Sequence, residues 1–282
     1  SFPKRSNHEG LMNRRGFLKS GLALAPGALA TSFAPSSAWA LVQPSQHYFR
    51  KMASFDDPHP TDLVAPREDF QLLQKTLGRI KRVQKLVGFG NFNILNFDDM
   101  LKVARSYTSV ERFTRAELDF LEKLFYADAS TYGFYGTKVM RKLTDGVDRK
   151  KTAYVRGSGQ RIFRGPALER YKSIRRAVGP ELVLTSGVRS IVKQLYLFMH
   201  KAERSNGNLS LASRSLAPPG YSFHAIGDFD VGKRGLGGAN FTQAFARTDV
   251  YHRLVELGFV KIRYPQRNLL GVRFEPWHIR VV

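Results

Sequence analysis

The chain contains no cysteine. That excludes cysteine nucleophiles, disulfides and thiolate metal sites, so any zinc would have to sit on His, Asp or Glu. Acidic residues are scarce: 23 Asp and Glu stand against 45 Lys and Arg in 282 residues, a formal net charge of +22. Such a field favours an anionic partner, whether nucleic acid, an acidic membrane surface or a cell-wall polymer, without choosing among them. There is no internal repeat. The glycines of Gly232-Lys233-Arg234-Gly235-Leu236-Gly237-Gly238 lack the spacing of a phosphate or dinucleotide loop, so no nucleotide cofactor is assigned. The apolar run from Gly21 to Ala34 is short for a spanning helix and is interrupted by Pro26. What remains, at 43% hydrophobic residues, is ample for one large domain or a core domain with a helical extension.

Residues 1–40 read as an address rather than as structure. Asn13-Arg14-Arg15-Gly16-Phe17-Leu18-Lys19 resembles the twin-arginine export motif, and the apolar run and Ala38-Trp39-Ala40, a small-x-small cleavage pattern, follow it in the expected order. Met12, just before the arginines, is a candidate start. The expectation is export in folded form to the periplasm or cell envelope, with no transmembrane segment in the mature protein. Export argues against nucleic acid as the partner and leaves anionic cell-envelope polymers.

Residues 41–65, with Pro44, Pro58 and Pro60 and no sustained period, read as a linker. Residues 66–150 read as a helical N-terminal region. Phe70, Leu72, Leu73, Leu77, Ile80, Val83 and Val87 recur at helical spacing until Gly88 and Gly90 stop the pattern. A second helix is expected from Asn96 to about Tyr107. Thr114-Arg115-Ala116-Glu117 is a capping box opening a third. From 151 to 282 the texture is mixed. It predicts a strand at 153–155, a helix at 165–178, a strand at 181–185 and a helix from Ser190 to about Arg204. A long loop over 205–221 leads to a strand carrying His224; a helix from about Asp249 to Gly258 and strands at 259–263 and 272–281 follow. The fold class is α+β, with a small, largely antiparallel sheet flanked by helices.

Two clusters carry ligand chemistry. Ser222-Phe223-His224-Ala225-Ile226-Gly227-Asp228-Phe229-Asp230 offers an imidazole and two carboxylates, and residues two apart in a strand face one side, so Asp228 and Asp230 can address one site. Phe274-Glu275-Pro276-Trp277-His278 adds a second histidine with a glutamate three residues before it. Together these are the parts of an open zinc site with three protein ligands and a general base. A third stretch, Ser186-Gly187-Val188-Arg189-Ser190 with Gln194 one turn on, bridges a strand end to a helix start. Arg189 can grip a carboxylate or an oxyanion in bidentate fashion, and Gln194 can donate and accept.

In this order the three stretches resemble the motifs of the zinc D-alanyl-D-alanine carboxypeptidases of the VanY type, in the wider group of lysostaphin-type peptidases and the hedgehog signalling domain. The resemblance covers roughly residues 150–282. It implies a hedgehog/D-Ala-D-Ala-peptidase-like fold, zinc as cofactor, and His224, Asp230 and His278 as ligands. It further implies Glu275 as catalytic base, aided by Arg189, with Arg189, Gln194 and Ser222 in contact with substrate. The implied reaction is hydrolysis of peptidoglycan stem peptides, most simply removal of a terminal D-alanine. A cross-link endopeptidase and a non-catalytic zinc-bearing wall-binding module are the alternatives. Two features depart from the family. Val188 replaces the usual aromatic, which implies a different wall for the substrate site. Only five residues separate His224 from Asp230 where the family has six. Asp230 is preferred as ligand because Val231-Gly232 continues the family pattern. Asp228 is then an orienting partner, a substrate contact or the ligand itself. Since Glu275 and His278 would lie on opposite faces of a regular strand, the chain is expected to bend at Pro276.

Overall fold

The computed structural model describes residues 46–282, so the export motif and cleavage pattern of residues 1–40 lie outside the described residues. Helix α1 (Gln46–Ala53) opens the described chain inside the stretch read as a linker. Helices α2 (Arg67–Val87), α3 (Phe89–Phe92), α4 (Phe97–Ser106) and α5 (Arg115–Tyr126) follow. The periodic stripe of α2 is its buried face: Leu73, Leu77, Ile80 and Val83 are all inaccessible. At α5 the Thr114 side chain accepts from the Glu117 N–H and the Glu117 side chain accepts from the Thr114 N–H, which caps both ends of the predicted box. No described helix is long and apolar enough to cross a membrane.

Next comes a hairpin, β1 (Thr152–Val155) with β2 (Gln160–Phe163), then α6 (Pro166–Val178), which begins with proline in its first turn. Strand β3 (Leu182–Ser186) leads to α7 (Ile191–Arg204) and α8 (Leu209–Ser215). Then come β4 (Phe229–Lys233), α9 (Asp249–Glu256) and β5 (His278–Ile279). Strands β3, β4 and β5 form an antiparallel sheet with β4 in the middle.

Three expectations need correction. The loop expected over 205–221 contains α8, because the Asn208 side chain caps it by accepting from the Leu211 N–H. His224 does not lie on a strand; it sits in a 3-10 turn (Phe223–Ala225), and the strand begins at Phe229. The strands expected at 259–263 and 272–281 shrink to β5 and a single bridge, Ile262 to Ile279. Residues 261–263 still run beside β5, with the Arg263 N–H donating to the His278 carbonyl, while Phe259, Val260 and Val281 pack against the apolar core under the sheet.

Two large apolar clusters and a small third one hold the described residues together. The larger joins α2, α4 and α5 to α7 through Leu77, Met100, Leu121, Leu195 and Phe198. The second packs α6 and α9 on the sheet through Ile174, Leu254, Phe229, Val231 and Trp277. Helix α7, which starts at the site, is thus embedded in the helical region's core. Residues 55–65 are also anchored. Arg214, in α8, donates to Asp62 at 2.7 and 3.0 Å and to the carbonyls of Phe55 and Asp57, and the two side chains are 2% and 1% exposed.

Candidate metal centre and active site

The register of the small sheet assembles the centre. On the central strand, Asp230 pairs with Ser186 of β3 on one side and His278 of β5 on the other. A carboxylate in mid-sheet therefore stands beside a histidine by backbone pairing alone. The bend expected at Pro276 is a turn: the His278 N–H donates to the Glu275 carbonyl at 3.1 Å. Proline fixes φ at its second position. The turn brings Glu275 Oε2 to 3.2 Å from His278 Nδ1, one side chain on each flank of the same point.

His224 is delivered by the 3-10 turn and fixed by the loop after β3. Its Nδ1 lies 2.8 Å from the Gly187 carbonyl, and the Arg189 N–H donates to the His224 carbonyl at 3.3 Å. A carbonyl only accepts, so Nδ1 carries the proton and Nε2 presents its lone pair. Gly187 is required there, since a Cβ at this position would lie 1.9 Å from the Arg161 carbonyl oxygen of β2.

His224, Asp230 and His278 are buried, and each offers a ligand atom, all within 4.8 Å of one another. His224 Nε2 stands 3.2 Å from Asp230 Oδ1, and both atoms are buried without a hydrogen-bond partner. Two orphaned polar atoms facing each other at this distance are costly unless a third group joins them. His278 Nδ1 is 3.7 Å from the same oxygen. With Zn–N and Zn–O bonds of about 2.0–2.2 Å in a tetrahedral site, neighbouring ligand atoms stand roughly 3.3–3.5 Å apart. Two imidazoles and one carboxylate, with no thiolate, make a donor set that fits zinc and leaves a fourth position open.

Asp228 is outside this cluster, and its partners explain why. Its carboxylate accepts from Arg263 at 2.8 and 3.2 Å, from the Val281 and Val282 N–H groups, and from His278 Nε2 at 3.1 Å. Saturated in this way, it orients the His278 ring so that Nδ1 faces Asp230. Arg263 carries no motif signal of its own; its guanidinium also lies over the Phe223 ring at 3.7 Å.

The electrostatics follow from these pairings. Burial, then the Arg189 cation, pushes the His224 imidazole below its ordinary range and keeps it neutral. Burial would raise Asp230, but His224 and Arg189 outweigh it and bring the carboxyl down to about 2. For His278 burial opposes the charged form, and the hydrogen bonds to Asp228 and Glu275 overcome it, raising the imidazole to about 9. A proton on His278 thus occupies the place in the charge balance that a metal cation would take.

A cleft of about 340 Å³ opens over the cluster, lined by Arg189, Ser222, His224, Glu275 and His278 among others. Arg189 donates through Nε to Ser186 Oγ at 2.9 Å and through a terminal nitrogen to Asp230 Oδ2 at 2.5 Å. Gln194 is buried, its amide N–H donating to the carbonyl of Ala217 in the cleft wall, while its Oε1 has no hydrogen-bond partner. Val188 packs with Ile94 and Val147, with Phe163 against them.

A family model described as VanY, D-alanyl-D-alanine carboxypeptidase, matches residues 165–282. None of the curated proteins matches the chain. Among solved structures, an LdcB LD-carboxypeptidase described with its basis of peptidoglycan recognition shares 27% identity over 46% of this chain and 63% of its own, with a TM-score of 0.38. The chain thus spans less than two thirds of that enzyme's length. A mutant of the vancomycin-resistance D,D-pentapeptidase VanY in complex with Zn(II) shares 27% over 46% and 78%, with a TM-score of 0.37. VanYB in complex with D-alanine-D-alanine shares 28% over 46% and 76%, with a TM-score of 0.36. Residues 165–282 are thus similar to the VanY-type D-alanyl-D-alanine carboxypeptidases.

Proposed function

We propose that this protein is a zinc-dependent peptidase that removes the terminal D-alanine from peptidoglycan stem peptides. The observation that carries this reading is the cluster of His224, Asp230 and His278 with Glu275 at its edge, inside a segment that matches the carboxypeptidase family. Zinc bound by the three residues would supply a Lewis acid for the scissile carbonyl and bring the pKa of an attacking water from 15.7 towards about 7. Glu275 accepts that water's proton and returns it to the leaving amine; its buried position at the cleft floor, 3.2 Å from His278, suits both transfers. Arg189 stands in the cleft wall where a guanidinium can oppose charge developing on the carbonyl oxygen, an interaction worth on the order of 3 kcal/mol. Ser222 lines the same wall as a peptide contact. Residues 151–282 serve as the catalytic domain, residues 66–150 as a helical support for α7 and the Ser222 loop, and residues 1–40 as a twin-arginine signal. Val139 and Met140, whose N–H groups donate to the Gly220 carbonyl, favour that reading. The site of action is the periplasm or envelope, where the high positive charge also suits anionic wall polymers.

Mass spectrometry of pentapeptide muropeptides after incubation with purified protein tests the reading. The expected product has lost one alanine. Cleavage at cross-links would instead identify an endopeptidase, and unchanged muropeptides a binding module.

A further inference from the structure

Four cations line the cleft, and three of them have anionic partners or close carboxylates. Arg189 is bound to Asp230 and Ser186. Lys201 is 2.9 Å from Asp56. Arg273 lies between the rings of Phe55 and Trp277 with its Nε 4.0 Å from Glu275 Oε1. The fourth, Lys193, pairs with no carboxylate among the described residues.

Lys193 sits in the first turn of α7, its backbone N–H donating to the capping Ser190 hydroxyl. Its half-buried ammonium lies 5.7 Å from the Phe92 ring and 5.2 Å from the Tyr196 ring. Those faces hold a cation weakly and guide its stem into the cleft wall. Loss of hydration, and secondarily the Arg189 cation, lowers the ammonium to about 8. In a protein with lysines to spare on its surface, one placed in a cleft without a counter-ion costs stability unless an anion meets it there. The cleft walls also hold two buried hydroxyls without partners, Thr185 Oγ1 and Ser215 Oγ, ready to accept or donate along a bound peptide.

We propose that Lys193 binds a carboxylate of the peptide substrate and thereby selects which peptides the site accepts. This rests on the peptidase reading above. Two sources share the chemistry: the peptide's C-terminal carboxylate and a carboxylate borne on a residue further along the stem. Arg189 is not an equivalent anchor, since Asp230 and Ser186 already take part of its guanidinium.

The test compares wild type, Lys193→Met and Lys193→Arg on synthetic D-alanyl-D-alanine peptides, measuring kcat and KM by D-alanine release and peptide affinity by titration calorimetry. Lys193→Met keeps the apolar stem over Phe92 and Tyr196. It is expected to raise KM and the dissociation constant about tenfold, equivalent to about 1.4 kcal/mol, with kcat within about twofold. Lys193→Arg is expected to recover most of the affinity. Peptides with the stem carboxylate or the C-terminal carboxylate converted to carboxamide separate the sources: the conversion that weakens wild type and leaves Lys193→Met unchanged marks the group bound. If wild type hydrolyses none of the peptides but binds them in a Lys193-dependent way, the peptidase reading falls and this inference stands. Affinities equal in wild type and Lys193→Met for every peptide, or absence of binding in both, would overturn it.

Discussion

Replacing Glu275 by glutamine is expected to lower kcat by about 100- to 10,000-fold while zinc stays bound. The substitution keeps the shape of the side chain and removes its ability to accept a proton. Glu275 is buried on the cleft floor beside His278 and is outside the group of His224, Asp230 and His278 that converges on the metal position. It therefore affects proton transfer without removing a ligand. Metal analysis and steady-state kinetics on the same preparation check both halves. Turnover within about threefold of wild type would remove Glu275 from the role of base. Loss of zinc together with activity would instead make it a ligand.

The second large effect concerns stability. Arg214 and Asp62 form a pair buried almost completely on both sides, supported by Lys51 at 2.8 Å and by Asn208. Arg214→Ala leaves the carboxylate in place without its main partner, and such a break costs about 3–5 kcal/mol. For a chain of this size the melting temperature should fall by roughly 6–20 °C. The pH dependence has a definite sign. Burial alone would raise the Asp62 carboxyl, but hydrogen bonds from Arg214, Lys51 and Asn208 hold it well below its ordinary range. A carboxyl lowered in the folded state stabilises it above the unfolded pKa of about 3.9 and loses that contribution as pH falls towards the folded value. The gap between wild type and Asp62→Asn should therefore be full at neutral pH and shrink below about pH 4. A change under about 1 kcal/mol in Arg214→Ala at neutral pH would show that the segment carrying Asp62 is not anchored by this pair.

That pair also marks where sequence ceases to be informative. Asp62 and Arg214 are 152 positions apart, and neither stands in a motif. Arg263, 35 positions from its partner Asp228, is equally silent, since a lone arginine between apolar residues carries no spacing signal. By contrast, the stripe of α2 and the capping box of α5 are local patterns, and they appear where periodicity and capping chemistry put them. Convergence of the His224 and Glu275–His278 stretches was also legible, because each carries several ligand-type residues at short range. The strand pattern after 259 was not. Alternating apolar residues there serve a turn at Pro276 and a loop from Pro265, and only His278 and Ile279 remain paired as strand. Gln194 illustrates a different limit. The resemblance implies a substrate contact for it, and no local pattern announces the bond its amide N–H makes to the Ala217 carbonyl.

Zinc stoichiometry in the two aspartate variants tests the metal centre most directly. The purified protein should hold about one equivalent. Asp230→Ala should lose it, because Asp230 Oδ1 is the orphaned oxygen facing His224 Nε2. Asp228→Ala should keep the ion with affinity weakened by about 10- to 100-fold, as expected for a carboxylate that orients a ligand histidine through its other nitrogen. Zinc retained in Asp230→Ala and lost in Asp228→Ala would contradict the account and move the ligand role to Asp228.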